Sequence, residues 1–162
     1  MERLALTLLV LAVFLLGVWG MWLGWRRKAR EQSARYAPFP QVPEADDLGQ
    51  ELAATDGVYV ATTPHGRWQD RIVTRGVGMR GPATLRRYDS GVVVERHGAR
   101  SFFIPASAIT EVTTARKMAG KVMGTDGLLV ITWRLGDELL DTGFRGDDMD
   151  VYPEWTSRKG AA

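Results

Sequence analysis

The sequence predicts one N-terminal transmembrane α-helix followed by a small, mainly β domain. Three observations carry that fold class. Leu4 to Trp25 contains no charged residue. Beyond Asp56 the chain breaks into short β-type runs separated by turn residues. Between the two lies a stretch rich in proline and acid. A chain of 162 residues allows one modest domain plus an appendage. The boundaries read from these shifts are 1–30 for the anchor with its basic flank, 31–55 for a flexible tether, 56–155 for the β domain and 156–162 for a disordered tail.

The apolar run comes first. At 1.5 Å per residue, a helix over Leu4–Trp25 matches a hydrocarbon core of roughly 30 Å, and a helix satisfies every backbone group internally there. Glu2 and Arg3 precede it, whereas Arg26, Arg27, Lys28 and Arg30 follow. The positive-inside bias therefore predicts an outer N-terminus, with the C-terminal domain on the cytoplasmic side of the inner (plasma) membrane. A cleaved signal peptide would place its basic cluster before the apolar run, so an uncleaved anchor is expected. Trp19, Trp22 and Trp25 stand three apart near the cytoplasmic end, where indole rings favour the headgroup layer. The adjoining cations attract anionic lipid. Gly20 and Gly24 form a small-xxx-small pair through which a second helix, including that of a homodimer, could pack.

From Glu31 to about Thr55 the pattern dissolves around Pro38, Pro40 and Pro43, followed by Glu44, Asp46 and Asp47. Proline opposes regular structure, so an exposed tether is expected, with at most a helical turn over Leu48–Ala54. The predicted strands then follow: Gly57–Thr62, Ala83–Tyr88, Gly91–His97, Ala99–Ile104, Ile109–Ala115, Gly127–Trp133 and Glu138–Phe144. Asp89–Ser90 reads as a hairpin turn, and Arg116–Asp126 as a mixed loop. Short connections imply antiparallel neighbours, and seven short strands imply a partly closed barrel or a sandwich.

The particular runs Leu85–Val94, Phe103–Ile104–Pro105, Ile109–Val112, Leu128–Trp133 and Thr142–Gly143–Phe144–Arg145 resemble the pleckstrin-homology-like (PH-like) superfold over residues 56–148. With its single anchor, the whole chain resembles the small bacterial single-pass membrane proteins that carry such a domain. The resemblance implies a seven-stranded, partly open antiparallel barrel with a C-terminal capping helix. Pro153 limits that helix to a short one, with Asp147 as its expected cap.

Charge is segregated along the chain. Eight arginines lie between Arg67 and Arg100 against three acids, and eight acids lie between Asp126 and Glu154 against two arginines. Either the surface is polarised, or the two halves pair across neighbouring strands. Arg67, Arg71, Arg75, Arg80, Arg86 and Arg87 fall around the loop between the first two predicted strands. The resemblance implies that this loop, which holds inositol phosphates in eukaryotic PH domains, is the contact site for lipid or a partner. Guanidinium forks suit phosphate, yet no Lys-x-Arg-x-Arg pattern carries headgroup specificity over.

Catalysis finds little support. The two histidines, His65 and His97, sit at turns, and no nucleophile-elbow pattern appears. The absence of cysteine removes thiol chemistry and palmitoylation and favours a reducing compartment. Asp147, Asp148 and Asp150 lack EF-hand spacing, and Gly76–Gly81 lacks the P-loop ending. No cofactor or metal is expected. The domain carries fifteen Lys/Arg against thirteen Asp/Glu, too balanced for a nucleic-acid footprint. The expected function is a non-enzymatic, membrane-held interaction module for a protein partner, anionic lipid or both. The alternative is an accessory subunit of an export or transport assembly.

Overall fold

The computed structural model describes residues 2–115, 117–118, 121–122 and 127–156. Helix α1 (Glu2–Arg35) is followed by the single turn α2 (Ala45–Leu48). Strands β1 (Glu51–Pro64), β2 (Gly81–Tyr88), β3 (Gly91–Arg96) and β4 (Phe102–Pro105) come next. A 3-10 turn (Ala106–Ala108) leads to β5 (Ile109–Ala115). The two-residue strands β6 (Lys117–Met118) and β7 (Lys121–Val122) form a small ribbon, and β8 (Leu128–Leu135), β9 (Glu138–Gly146) and α3 (Tyr152–Thr156) complete the chain.

Seven strands form one antiparallel sheet in the order β4-β3-β2-β1-β9-β8-β5. This is the long apolar helix, open antiparallel sheet and short C-terminal helix that the sequence predicts. The β2–β3 hairpin turns at Asp89–Ser90. The bent sheet buries Tyr59, Leu85, Phe102, Ile104, Leu129, Ile131, Trp133 and Phe144 in a single core. Burying each of these side chains is worth roughly 1.5–3 kcal/mol or more. Helix α1 is the one described helix long and apolar enough to cross a membrane, and none of its residues is buried.

The structure redraws residues 31–55. Helix α1 continues to Arg35, and β1 begins at Glu51 rather than at Gly57. Between them the chain packs closely as a strap instead of hanging as a flexible tether. Tyr36 enters the core. Phe39 meets Phe102 and Trp133 edge-on, at centroid distances of 5.2 and 5.5 Å. The Phe103 N–H donates to the Pro40 carbonyl (2.9 Å). Leu48 covers Val93 and Phe103 on the outer face of the sheet, and Ser90 Oγ donates to its carbonyl (2.7 Å). Apolar residues at 36, 39 and 48 follow neither helical nor strand period, so local patterning gives no sign of their burial. Pro40 lies along the outer edge of β4, where a missing N–H costs nothing and further strand pairing is blocked.

The C-terminal cap is short, as Pro153 requires. Proline falls in the first turn of α3, where its lost N–H has no intrahelical partner to lose, and Tyr152 and Trp155 are buried. Asp147 does not cap this helix. Its N–H donates to the Asp56 carbonyl (2.9 Å), and Asp148 Oδ1 accepts from the Asp150 N–H (2.9 Å), so these acids shape the approach to α3. Apart from Thr156, the tail 156–162 lies outside the described residues, as does much of the loop 116–126.

Candidate functional site

The expected arginine site divides into three places. Arg67, Arg71, Arg75 and Arg80 lie on the β1–β2 loop. Arg86 projects from the outer face of β2, bridging Glu95 on β3 (3.0 Å) and Glu51 on β1 (3.2 Å). Both carboxylates, Glu95 foremost, hold its guanidinium pKa above the usual value. Arg87 points the opposite way, into the barrel mouth. There it donates to the Glu154 carbonyl (2.6 Å) and lies 5.8 Å from the Trp155 ring centroid. Among the described residues, the ion pairs found for this arginine stretch are with Glu51, Asp70 and Glu95.

On the β1–β2 loop the arginines do structural work. Arg71 donates to the Gly78 and Val60 carbonyls, both at 3.3 Å. Arg75, at φ 58°, donates to the carbonyls of Ser33 (2.8 Å) and Tyr36 (3.5 Å). These carbonyls end α1 and lack intrahelical partners, so the loop supplies the cationic cap that a helix C-terminus favours. Arg67 is half-exposed and lies 3.7 Å from Asp70. Arg80 is exposed beside Met79.

Other bonds join α1 to the same loop. The Gln32 side-chain amide spans two backbone groups, donating to the Arg71 carbonyl (3.2 Å) and accepting from the Val73 N–H (2.7 Å). Ser33 and Thr74 share a hydrogen bond between their hydroxyls. Arg35 grips Glu138 with two bonds (2.8 and 3.2 Å), and that bond holds the Glu138 carboxyl below its usual pKa. A carboxyl whose folded pKa is depressed stabilises the joint above its unfolded pKa and loses that contribution as pH falls through the folded value. We expect acid titration into the low carboxylate range to loosen this joint in the wild type. Glu138→Gln should be loosened at neutral pH already, as read by spin-label mobility at Lys28→Cys.

Arg96, which the sequence gives no reason to single out, organises the loop from beneath. It is 5% exposed and donates to the carbonyls of Gly76 and Met79, both at 2.6 Å, and of Arg100 (3.4 Å). Its guanidinium sits 4.5 Å over the Tyr59 ring. Burial lowers the Arg96 pKa and pushes the Tyr59 hydroxyl up to about 12. That hydroxyl donates to the Val77 carbonyl (2.8 Å).

On α1, Arg26 stacks over Trp22 (4.5 Å) and Arg27 pairs with Glu31 (3.0 Å). Trp25 and Arg30 line one shallow hollow. Lys28, Arg35, Tyr36 and Arg67 line another, which brings the 65–70 turn beside the helix. A side chain at Gly20 or Gly24 would meet nothing within 4 Å, so that face is bare. His65 Nδ1 lies 2.9 Å from Asp141, which also accepts from Thr132 Oγ1 (2.8 Å). His97 lies 3.3 Å from Thr84 Oγ1.

A bent antiparallel sheet closed at one end by a short helix, with a cation-rich first loop, defines a PH-like module. The bacterial PH domain-like family model matches residues 36–160, and the chain belongs to that family. The match begins at Tyr36, where α1 hands over to the strap. No curated protein matches the chain.

Proposed function

We propose that the protein is a non-enzymatic interaction module anchored by α1, with its domain on the cytoplasmic face of the membrane. Its helix collar and β1–β2 loop contact anionic lipid, while the domain presents itself to a protein partner. One observation carries the reading: the 65–70 turn lies beside Lys28, on a helix bonded to the domain at Gln32, Ser33 and Arg35. Lys28 is three residues past Trp25, about 5 Å along the axis, and a headgroup layer is about 5–7 Å thick. Arg67 and the partly exposed Trp68 therefore stand at headgroup depth together with Arg26, Arg27, Lys28 and Arg30. Each well-placed cation contributes about 1 kcal/mol of attraction to an anionic surface.

The absence of cysteine makes the test direct. Nitroxide-headgroup lipid should quench a fluorophore at Gln69→Cys in full-length protein more strongly than one at Asp89→Cys, at the opposite end of β1. Anionic lipid should increase the difference, and high salt should reduce it. Equal quenching at the two positions would remove the reading.

A further inference from the structure

From the structure we infer a site on α1 for one anionic phospholipid, its phosphate held among Arg26, Arg27 and Arg30 and one acyl chain laid along Gly24 and Gly20. This site rests on the lipid-contact reading above and sharpens it: diffuse attraction suffices for that reading, whereas here a single molecule is seated on the helix. The three arginines, with Leu23 and Gly24 on the apolar side, enclose a hollow of about 430 Å³. No residue of α1 is buried, so the described domain leaves the hollow open.

Three observations specify the occupant. The first is charge. Arg27 pairs with Glu31 (3.0 Å), Arg26 stacks on Trp22 (4.5 Å to the ring centroid), and Arg30 has no ion pair among the described residues. Three guanidinium groups thus meet one carboxylate. The positive charge left over is complementary to phosphate oxygens, which guanidinium forks bind through paired N–H donors.

The second is direction. Long side chains on a helix lean toward its N-terminus, so these arginines reach back toward the apolar run. The hollow they share with Leu23 and Gly24 opens where that run ends. A phospholipid carries phosphate and hydrocarbon joined at such a boundary; a free phosphate does not. The third is the shape of the helix beyond the arginines. Gly20 and Gly24 stand four apart, and Arg27 follows three residues later on the same face. A Cβ added at Gly17, Gly20 or Gly24 would meet nothing within 4 Å, so a trough runs from the hollow into the apolar span. An acyl chain fills such a trough along its length. A second copy of α1 packed parallel on the same face would instead bring its own Arg26, Arg27 and Arg30 against the first three, and like charges repel. Charge complementarity therefore favours the lipid over the homodimer.

The test is native mass spectrometry of full-length protein released from nanodiscs of mixed phosphatidylglycerol and phosphatidylcholine. Wild type should keep one phosphatidylglycerol per chain and shed phosphatidylcholine. Retention should fall roughly fivefold or more in Arg30→Gln, which removes the unpaired cation, and in Gly24→Leu, which fills the trough and leaves every charge in place. Circular dichroism confirms that each variant folds. Soluble glycerol phosphate should leave the adduct intact. The inference falls if no adduct is kept, if either variant retains the lipid as the wild type does, or if phosphatidylcholine is kept equally. It falls too if glycerol phosphate displaces the adduct, because the occupant is then a free phosphate. A lipid-free wild-type dimer that Gly24→Leu returns to monomer would assign the face to a second copy and overturn it as well. Quenching at Gln69→Cys is read separately and should be unchanged in Gly24→Leu, so loss of the seated lipid does not overturn the contact made by the loop, nor the reverse.

Discussion

Arg96→Ala is expected to lower the unfolding free energy of the β domain by about 3 kcal/mol, roughly a 10 °C fall in Tm for a domain of this size. The variant strips the Gly76, Met79 and Arg100 carbonyls of their donor and opens a void under the Tyr59 ring. Hydrogen bonds to a charged group are worth about 1.5–3 kcal/mol apiece and do not add fully. Arg96→Lys should recover less than half, because an ammonium lacks the planar fork that reaches Gly76 and Met79 together. Calorimetry of the two variants gives the order. The effect should also reach the β1–β2 loop: amide exchange across residues 74–80 should quicken in Arg96→Ala well below the melting transition. An unchanged exchange rate would show that the loop is held from the α1 side alone.

Gly57→Ala should cost more, about 4 kcal/mol or greater, and is expected to yield little folded protein. A Cβ at this position would lie 2.1 Å from the Arg145 carbonyl oxygen and 2.8 Å from Gly146 Cα. Gly57 sits mid-sheet, opposite Gly146 on β9 and Ala83 on β2. The Phe144 ring would also be met, at 2.8 Å, but the closest contact is with backbone, so the strain falls on the centre of the sheet. Gly81→Ala is the matched control: nothing lies within 4 Å of its added Cβ, and its stability should stay within about 0.5 kcal/mol of wild type. Urea midpoints for the pair measure the contrast.

Such contacts mark the limit of what a sequence discloses. The seven strands were legible because their signals are local: Leu128–Trp133 is an unbroken apolar run, and Asp89–Ser90 turns between two alternating ones. The helix was legible because hydropathy needs no partner. The strap was not, since Tyr36, Phe39 and Leu48 meet their neighbours on β3, β4 and β8 across scores of residues. Their prolines spoke for disorder, although Pro40 sits against an edge strand. The arginines misled in an instructive way. A run of cations looks like one surface, but β-strand alternation sends Arg86 outward and Arg87 inward, and helix-end carbonyls claim Arg75. Arg96 stood in the same run without distinction, because its three acceptors are backbone groups that no residue type announces. Tyr152 and Trp155 gave one usable signal, two large aromatics after the last strand.

The joint at Gln32–Tyr36 has a mechanical consequence. With side-chain amide, hydroxyl and guanidinium bonds gripping its last turns, α1 meets the sheet without a hinge. Transmembrane helices lean by about 20° on average, and the lean changes with bilayer thickness. Such a lean would carry the far rim of a domain about 30–35 Å across through about 10 Å. The helix and the domain therefore tip as one piece, and under the proposed anchoring bilayer thickness would set the pitch at which the domain meets the membrane surface.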